Sequence, residues 1–217
     1  MSEKQFTQPV PKPTLQRLPG YLTYLKEIQA AGVRNTSATI IGKALNLYHV
    51  QVRKDLAYVS DGGKPKVGYV VDELIDDLAT FLGYGEDKQA VIVGVGKLGR
   101  TLLSYGGFAD YGLNIVMGFD CDDRIYGLNI NGKEILPIEK MKEMIEKYNI
   151  AIGIITVPAP IAQEVCNKLV DCGIRAIWNF APVHLCTPEN VFVQNENMAA
   201  SLAVLSSELR VGRALEE

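Results

Sequence analysis

A short apolar run that opens into a glycine-rich turn constrains the fold of this chain more than any other feature. Residues 90–93 read Ala-Val-Ile-Val, and the chain continues as Gly94-Val95-Gly96-Lys97-Leu98-Gly99. In the spacing G-x-G-x-x-G, the first glycine permits a tight turn and the second lets a pyrophosphate approach the backbone. The third lets a helix pack closely on a strand. We therefore predict that these six residues bind the pyrophosphate of a dinucleotide.

The next apolar run supports this prediction. It covers residues 115–119 and ends at Asp120, 21 residues after Gly99. An acidic residue at this distance typically binds the ribose hydroxyls and favours NAD over its 2′-phosphorylated relative. Asp122 and Asp123 add negative charge that would repel the extra phosphate. We predict NADH or NAD⁺ as the ligand, with Asp120 on the ribose.

Helical and apolar segments continue to alternate along the chain. We expect helices over 137–148 and 160–172, and strands over 150–157, 176–180 and 191–193. Repeated strand–helix units predict a parallel sheet covered on both faces, with ligands outside the carboxyl ends of the strands. The predicted rim of the pocket is formed by Thr156-Val157-Pro158 and Asn179-Phe180-Ala181-Pro182.

The first 70 residues differ in charge from the rest of the chain. They hold ten Lys/Arg and four Asp/Glu, a net charge of +6, whereas the remainder holds 12 and 21, a net charge of −9. Apolar residues recur at helical spacing over 14–31, 36–45 and 49–59. Three short helices with a tight turn between the last two predict a helix-turn-helix, and a basic block is typical of a part that contacts phosphates.

We expect the third of these helices to read DNA. Gln and Arg can make bidentate contacts with adenine and guanine in the major groove, and Lys suits the phosphate backbone. The Gly- and Lys-rich stretch 61–69 is predicted to form a wing on the backbone or the minor groove. The residues predicted on or near the outer face of this helix are Tyr48, His49, Gln51, Arg53, Lys54 and Asp55. The residues predicted to bind DNA are Tyr48, His49, Gln51, Arg53, Lys54, Lys64 and Lys66.

Composition argues against several other classes of protein. No apolar run approaches the ~18–20 residues of a membrane span, so we expect no membrane partner and a cytoplasmic protein. The four cysteines form no C-x-x-C pair and there are only two histidines, so we expect no metal. Residues 83–195 have room for one dinucleotide-binding domain and no substrate domain, so we expect no enzyme and no catalytic residues. A minimal NAD-dependent oxidoreductase or a CoA-binding module stays as the alternative.

Taken together, the motifs resemble the Rex family of bacterial redox-sensing transcriptional repressors. The resemblance spans about residues 14–210 and rests on Gln51-Val52-Arg53-Lys54-Asp55-Leu56, Gly68-Tyr69, Gly94–Gly99, Tyr105-x-x-Phe108, Phe119-Asp120, Thr156-Val157-Pro158 and Asn179-Phe180-Ala181-Pro182. It implies an α/β protein with an N-terminal winged helix-turn-helix over 1–82 and a Rossmann NAD(H)-binding domain over 83–195. A domain-swapped C-terminal helix would follow over 196–217.

The resemblance also implies a homodimer that binds a pseudo-palindromic DNA operator and leaves it when NADH displaces NAD⁺. It implies that Tyr105 and Phe108 lie near the nicotinamide and the dimer interface. We predict an apolar pocket near Phe108 and Met198 that accepts the neutral nicotinamide of NADH and disfavours the cationic ring of NAD⁺.

Two positions depart from the family pattern. Some members have Arg where this chain has Thr23 and Asp where it has Asn197. These charges take part, with the position of Tyr105, in a redox-dependent switch between the two domains. With both charges absent, either Tyr105 forms uncharged hydrogen bonds with Thr23 or Asn197, or the domains close without this switch.

Overall fold

The computed structural model describes residues 9–64 and 67–216 of the chain. The chain divides into two compact units, Met1–Gly85 and Glu86–Glu217. No helix in the described ranges combines the length and the apolar character needed to cross a bilayer.

The N-terminal unit is mostly helical. It contains α1 (Lys12–Ala30), β1 (Asn35–Thr36), α2 (Ala38–Ala44), α3 (His49–Leu56), β2 (Tyr69–Val70) and α4 (Val71–Leu82). The two short strands pair antiparallel, and Lys64 pairs with Gly68 at the base of the wing. The core between the helices is formed by fully buried side chains that include Leu18, Tyr21, Leu25, Val52, Leu56 and Leu78.

The turn between α2 and α3 is set by local chemistry. Ser37 caps α2, because its hydroxyl accepts a hydrogen bond from the Ile40 N–H at 3.2 Å. Asn46 takes the left-handed conformation, with φ of 53°, that reverses the chain. A Cβ at Gly42 would lie 2.7 Å from the carbonyl oxygen of Leu47, so only glycine permits this close approach.

The C-terminal unit is a sheet covered by helices. Its elements are β3 (Lys88–Val93), α5 (Lys97–Ser104), β4 (Leu113–Asp120), β5 (Asn129–Ile130), β6 (Lys133–Pro137), α6 (Met141–Tyr148), β7 (Ile152–Ile155), α7 (Ala159–Asp171), β8 (Ala176–Asn179), β9 (Phe192–Asn195) and α8 (Met198–Glu216). The seven strands lie in the order β5-β6-β4-β3-β7-β8-β9, and all neighbours are parallel except β5 and β6.

Both faces of this sheet are buried. Val91 and Val93 of β3 pack into one apolar cluster, whereas Ala90 and Ile92 pack into the other. The chain runs from β3 to β4 on one side, while β7 adds to the opposite side of β3. The order of strands therefore reverses at the carboxyl end of β3, which is where an open α/β sheet forms its ligand crevice.

The predicted α/β fold class, a helical N-terminal unit with a wing followed by a Rossmann-like parallel sheet, is confirmed. The sequence analysis missed the β5–β6 hairpin. Residue 137, expected to open a helix, instead ends β6, and α6 begins at Met141. Proline fits both positions because its fixed φ suits a strand end as well as a first helical turn. The two-residue strand β5 is too short to show any periodicity.

Helix α8 leaves an apolar stripe exposed within the single chain. Met198, Leu202, Leu205 and Leu209 recur at helical spacing, and each is more than 60% exposed. A stripe of this kind normally packs against another surface. The exchange of this helix between two copies stays a prediction.

Candidate functional site

The glycine-rich turn joins β3 to α5 and is shaped by close packing. A Cβ at Gly94, whose φ is 95°, would lie 2.7 Å from Val157 Cγ1. A Cβ at Gly99 would clash with the carbonyl oxygen of Gly94. At Gly96, by contrast, no heavy atom lies within 4 Å of a Cβ position. The first and third glycines are needed by the fold, whereas the second borders open space.

The N-terminus of α5 faces this open space. Helix N-terminal N–H groups have no acceptor within their own helix, so Lys97 and Leu98 offer donors and the positive end of the helix dipole. The adjacent cleft has a volume of about 420 Å³. It is lined by Val95, Gly96, Lys97, Arg100, Asp120, Asp122 and Ile125. Backbone donors and two cationic side chains suit a diphosphate.

Asp120 lies at the carboxyl end of β4, on the edge of the same cleft. Its Oδ2 accepts a hydrogen bond from the Val95 N–H at 2.6 Å, and its Oδ1 accepts one from the Asp122 N–H at 3.0 Å. These two contacts hold the carboxylate against the glycine-rich turn. The Arg124 guanidinium binds Asp122 at 2.8 Å and lowers the pKa of that carboxyl. Asp122 therefore stays ionised, and the Arg124 cation balances its charge.

The residues predicted after β7 and β8 mostly shape the backbone of the crevice. Thr156 donates its hydroxyl to the Gly94 carbonyl at 2.6 Å, and Val157 packs beside Gly94. Pro158 precedes the first residue of α7. Asn179 is fully buried, and its amide bonds the backbone of Ala181 at 3.0–3.1 Å. Asn179 thus holds the turn after β8 in place.

Aromatic rings form a chain beside the crevice. Tyr105 and Phe108 have ring centroids 4.9 Å apart, Phe108 and Trp178 are 5.5 Å apart, and Trp178 and Phe180 are 4.8 Å apart. The Trp178 indole donates a hydrogen bond to Glu196 Oε1 at 2.8 Å. Sequence analysis named Tyr105 and Phe108 but missed Trp178, although the position of this one tryptophan directly before Asn179 offered a signal.

Met198 lines a second cleft, of about 460 Å³, at the carboxyl ends of β8 and β9. Its neighbours there include Phe180, His184 and Glu196. The two positions that depart from the family pattern form hydrogen bonds within their own helices. Thr23 donates to the Pro19 carbonyl at 3.1 Å, and Asn197 caps α8 by accepting from the Ala200 N–H at 3.0 Å.

Helix α3 presents an exposed face that carries two cations, Arg53 and Lys54. Val52 and Leu56 are buried, as predicted. Asp55 is buried as well, so its predicted place on the outer face is wrong, because its carboxylate turns toward α1 and accepts hydrogen bonds there. His49, Arg53 and Lys54 are exposed, and the Tyr48 side chain before the helix is 85% exposed. Val50, which sequence analysis did not name, is 40% exposed between these polar residues.

A groove of about 530 Å³ runs between the start of α2, helix α3 and the wing. Arg53 and Lys64 line it, together with Ser37, Thr39, His49 and Tyr69. Burial raises the pKa of the Tyr69 hydroxyl, and the nearby Arg53 cation opposes this shift. Lys66, also predicted to bind DNA, lies outside the described residues.

Gln51 has a different environment from the other predicted DNA-binding residues. Its Nε2 donates to the buried Asp55 carboxylate at 2.9 Å. The same carboxylate accepts hydrogen bonds from three residues of α1, namely Thr14, Arg17 and Tyr21. Burial alone would raise the pKa of Asp55, but hydrogen bonds from these four donors outweigh it and lower the pKa to about 2.

Metal-binding clusters are not part of this site. No group of three or more His, Cys, Asp or Glu side chains in 9–64 and 67–216 could hold a metal ion. The four cysteines are free thiols, and Cys121 is exposed beside Asp120.

Comparison with known proteins identifies the family. Two family models match, one described as "CoA binding domain" over residues 85–183 and one as "Putative DNA-binding protein N-terminus" over residues 9–57. The redox-sensing transcriptional repressor Rex of Bacteroides thetaiotaomicron is 44% identical over 92% of this chain and 91% of that protein. Rex of Treponema denticola is 39% identical over 89% and 92%.

This chain belongs to the Rex family. Solved structures of RSP, a Rex-family repressor, match it over almost the whole chain. RSP itself matches with a TM-score of 0.88 at 32% identity, over 97% of this chain and 98% of that one. RSP in complex with β-NAD⁺ and operator DNA matches with a TM-score of 0.89 at 31% identity, over 97% of both chains. The Rex relatives are named repressors, so the prediction of a regulator rather than an enzyme is confirmed.

Proposed function

We propose that this chain is a DNA-binding transcriptional repressor that responds to the ratio of NADH to NAD⁺. The open space at Gly96, bordered by the N-terminus of α5 and by Asp120, is the observation that carries the proposal. RSP, which matches over 97% of this chain, has structures with β-NAD⁺ and operator DNA and with β-NADH. We propose that the protein acts in the cytoplasm, where it would bind DNA.

The donor set fits a dinucleotide without a 2′-phosphate. The backbone from Gly94 to Gly99 would bind the diphosphate, with Lys97 and Arg100 supplying positive charge. Asp120 would accept hydrogen bonds from the ribose hydroxyls and would repel an added phosphate. The same repulsion disfavours CoA, whose ribose carries a phosphate.

The residues at the other end of the crevice would sense the redox state. The two forms of the ligand differ in the charge of the nicotinamide ring, which is cationic in NAD⁺ and neutral in NADH. Tyr105, Phe108 and Met198 would surround this ring with mostly apolar atoms, which penalises the cation more than the neutral form. Thr156, Val157, Pro158 and Asn179 would fix the backbone on which the ring rests.

The N-terminal unit would bind the operator through α3 and the wing. Arg53 suits a guanine edge, and Lys54 suits a phosphate. Val50 offers an apolar contact for the methyl group of thymine. Tyr48, His49 and Gln51 would complete the contacts of the helix, while Lys64 and Lys66 of the wing would bind the backbone.

We expect NADH to weaken operator binding at least about tenfold more than NAD⁺ does, because a ligand shifts an equilibrium only by its difference in affinity for the two states. The measurement is fluorescence anisotropy of a labelled operator duplex, titrated with each nucleotide. An Asp120→Ala variant should bind DNA like the wild type but lose the response. Equal effects of the two nucleotides would contradict the proposed function.

A second copy of this chain is the proposed partner of α8. We expect Leu205→Glu to convert a dimer into a monomer, since it places a charge in the stripe formed by Met198, Leu202 and Leu209. Light scattering after size exclusion measures the change. Ser207→Glu, which adds the same charge on the opposite side of the helix, should leave the dimer intact. Identical masses for the two variants would show that the stripe is not the dimer interface.

A further inference from the structure

Gln51 is the point at which a buried hydrogen-bond network reaches the exposed side of α3. The Asp55 carboxylate is fully buried and accepts hydrogen bonds from α1, at 2.9 Å from the Thr14 hydroxyl and 2.7 Å from the Tyr21 hydroxyl. Arg17 binds it through two nitrogens at 2.7 and 2.9 Å. The remaining donor is Gln51, whose Nε2 lies 2.9 Å from Asp55 Oδ1. Unlike Asp55, Gln51 is an exposed residue.

This contact fixes which end of the Gln51 amide points away from the protein. An ionised carboxylate has only acceptor atoms, so it binds the NH₂ end of an amide and repels the carbonyl end. Gln51 Oε1 is therefore held away from Asp55. A glutamine without such a neighbour can present either end, because its terminal torsion is broad and roughly two-fold.

The network also keeps the carboxylate itself from turning. Arg17 binds both oxygens of Asp55, and the buried Tyr21 and Thr14 hydroxyls fix them from the side of α1. Hydrogen bonds to a charged group in a buried site are among the stronger ones in proteins. Asp55 is therefore a rigid acceptor placed one helical turn from an exposed amide.

We propose that Asp55 is a positioning residue for sequence recognition, which holds Gln51 so that Oε1 accepts a hydrogen bond from an exocyclic amino group in the major groove. Adenine N6 and cytosine N4 are such groups, whereas guanine and thymine present carbonyl oxygens there. Gln51 then selects an amino-bearing base at one position of each half-site. This inference rests on the proposed DNA-binding function and deepens it.

The test begins with selection of duplexes from a random pool by the full-length protein in the presence of NAD⁺. The selected duplex is then titrated with analogues that lack one amino group, purine in place of adenine and 2-pyrimidinone in place of cytosine. We expect a loss of affinity of about tenfold at one position per half-site for the wild type. Gln51→Ala removes this sensitivity. Asp55→Asn reduces it to about twofold, since asparagine both donates and accepts and no longer fixes the amide.

One control variant separates this role from a structural one. Asp76→Asn makes the same change at an exposed position of α4. It keeps the full preference for the amino-bearing base. If Asp55→Asn does not fold, hydrogen exchange of the Gln51 side-chain amide is measured in the wild type instead. Protected amide hydrogens support the role of Asp55.

The outcomes distinguish the inference from the proposed function. Gln51→Ala with wild-type sensitivity, Asp55→Asn with equal losses for every base, or unprotected Gln51 amide hydrogens would each overturn the inference while DNA binding stands. A wild-type protein that selects no sequence would overturn both.

Discussion

Replacing Gly96 by alanine should weaken NADH binding by about 10- to 100-fold while leaving the free energy of unfolding almost unchanged. The backbone of Gly96, with φ of −73° and ψ of −160°, is one that alanine adopts readily, and no protein atom lies within 4 Å of the new Cβ. The methyl group would instead occupy the space in which the diphosphate is proposed to lie. Forcing a methyl group into a packed site typically costs about 1–3 kcal/mol, which corresponds to this loss of affinity. Titration of NADH fluorescence measures the affinity, and thermal unfolding measures the stability.

Gly99→Ala provides the matched control, because the same added methyl group meets the carbonyl oxygen of Gly94. We expect this variant to lose about 1–3 kcal/mol of stability, or not to fold, whether or not nucleotide is present. The two variants thus separate a glycine required by the ligand from a glycine required by the fold. Wild-type NADH affinity in Gly96→Ala would show that the diphosphate does not bind at this turn.

The parts of the fold that the sequence predicts are those encoded by short-range patterns. The run at 90–93, the glycine spacing after it and Asp120 at the end of the next run all lie within about 30 residues, so spacing alone orders them. The helix-turn-helix is predicted for the same reason, since its capping residue Ser37 and its turn residue Asn46 lie close together in the chain. The observed fold agrees with these predictions.

What the sequence does not predict depends on contacts between distant residues. Asp55 and Gln51 share a helical face, but nothing in their spacing shows that three side chains of α1, 34–41 residues earlier, complete the network. From the sequence alone, Gln51 is therefore predicted to have a free side chain, although its amide is bound to Asp55. The chain of aromatic rings from Tyr105 to Phe180 has the same origin, since it joins the end of α5 to β8 through tertiary packing.

Acid should destabilise the N-terminal unit through Asp55. The network lowers the pKa of this carboxyl from 3.8 to about 2, so the folded state favours the ionised form more than the unfolded state does. Its contribution to stability is therefore present above pH ~4 and is lost as the pH falls toward 2. A shift of this size corresponds to about 2 kcal/mol. Urea unfolding followed by the near-ultraviolet circular dichroism of tyrosine reports on this unit, which holds six of the ten tyrosines.

Asp55→Asn isolates this contribution from that of other carboxyl groups that titrate in the same range. At pH 6 the variant should be less stable than the wild type, because Arg17 keeps its charge but loses its ionised partner. The difference between the two proteins should shrink by about 2 kcal/mol between pH 5 and pH 2, as the wild-type carboxyl becomes protonated. Asp76→Asn, at an exposed site in the same unit, should show no such convergence. A difference in the free energy of unfolding between wild type and Asp55→Asn that stays constant with pH would contradict this prediction. It would mean that the donors of α1 do not hold the Asp55 carboxylate in its ionised form. Gln51 would then lack the rigid acceptor that the proposed positioning requires.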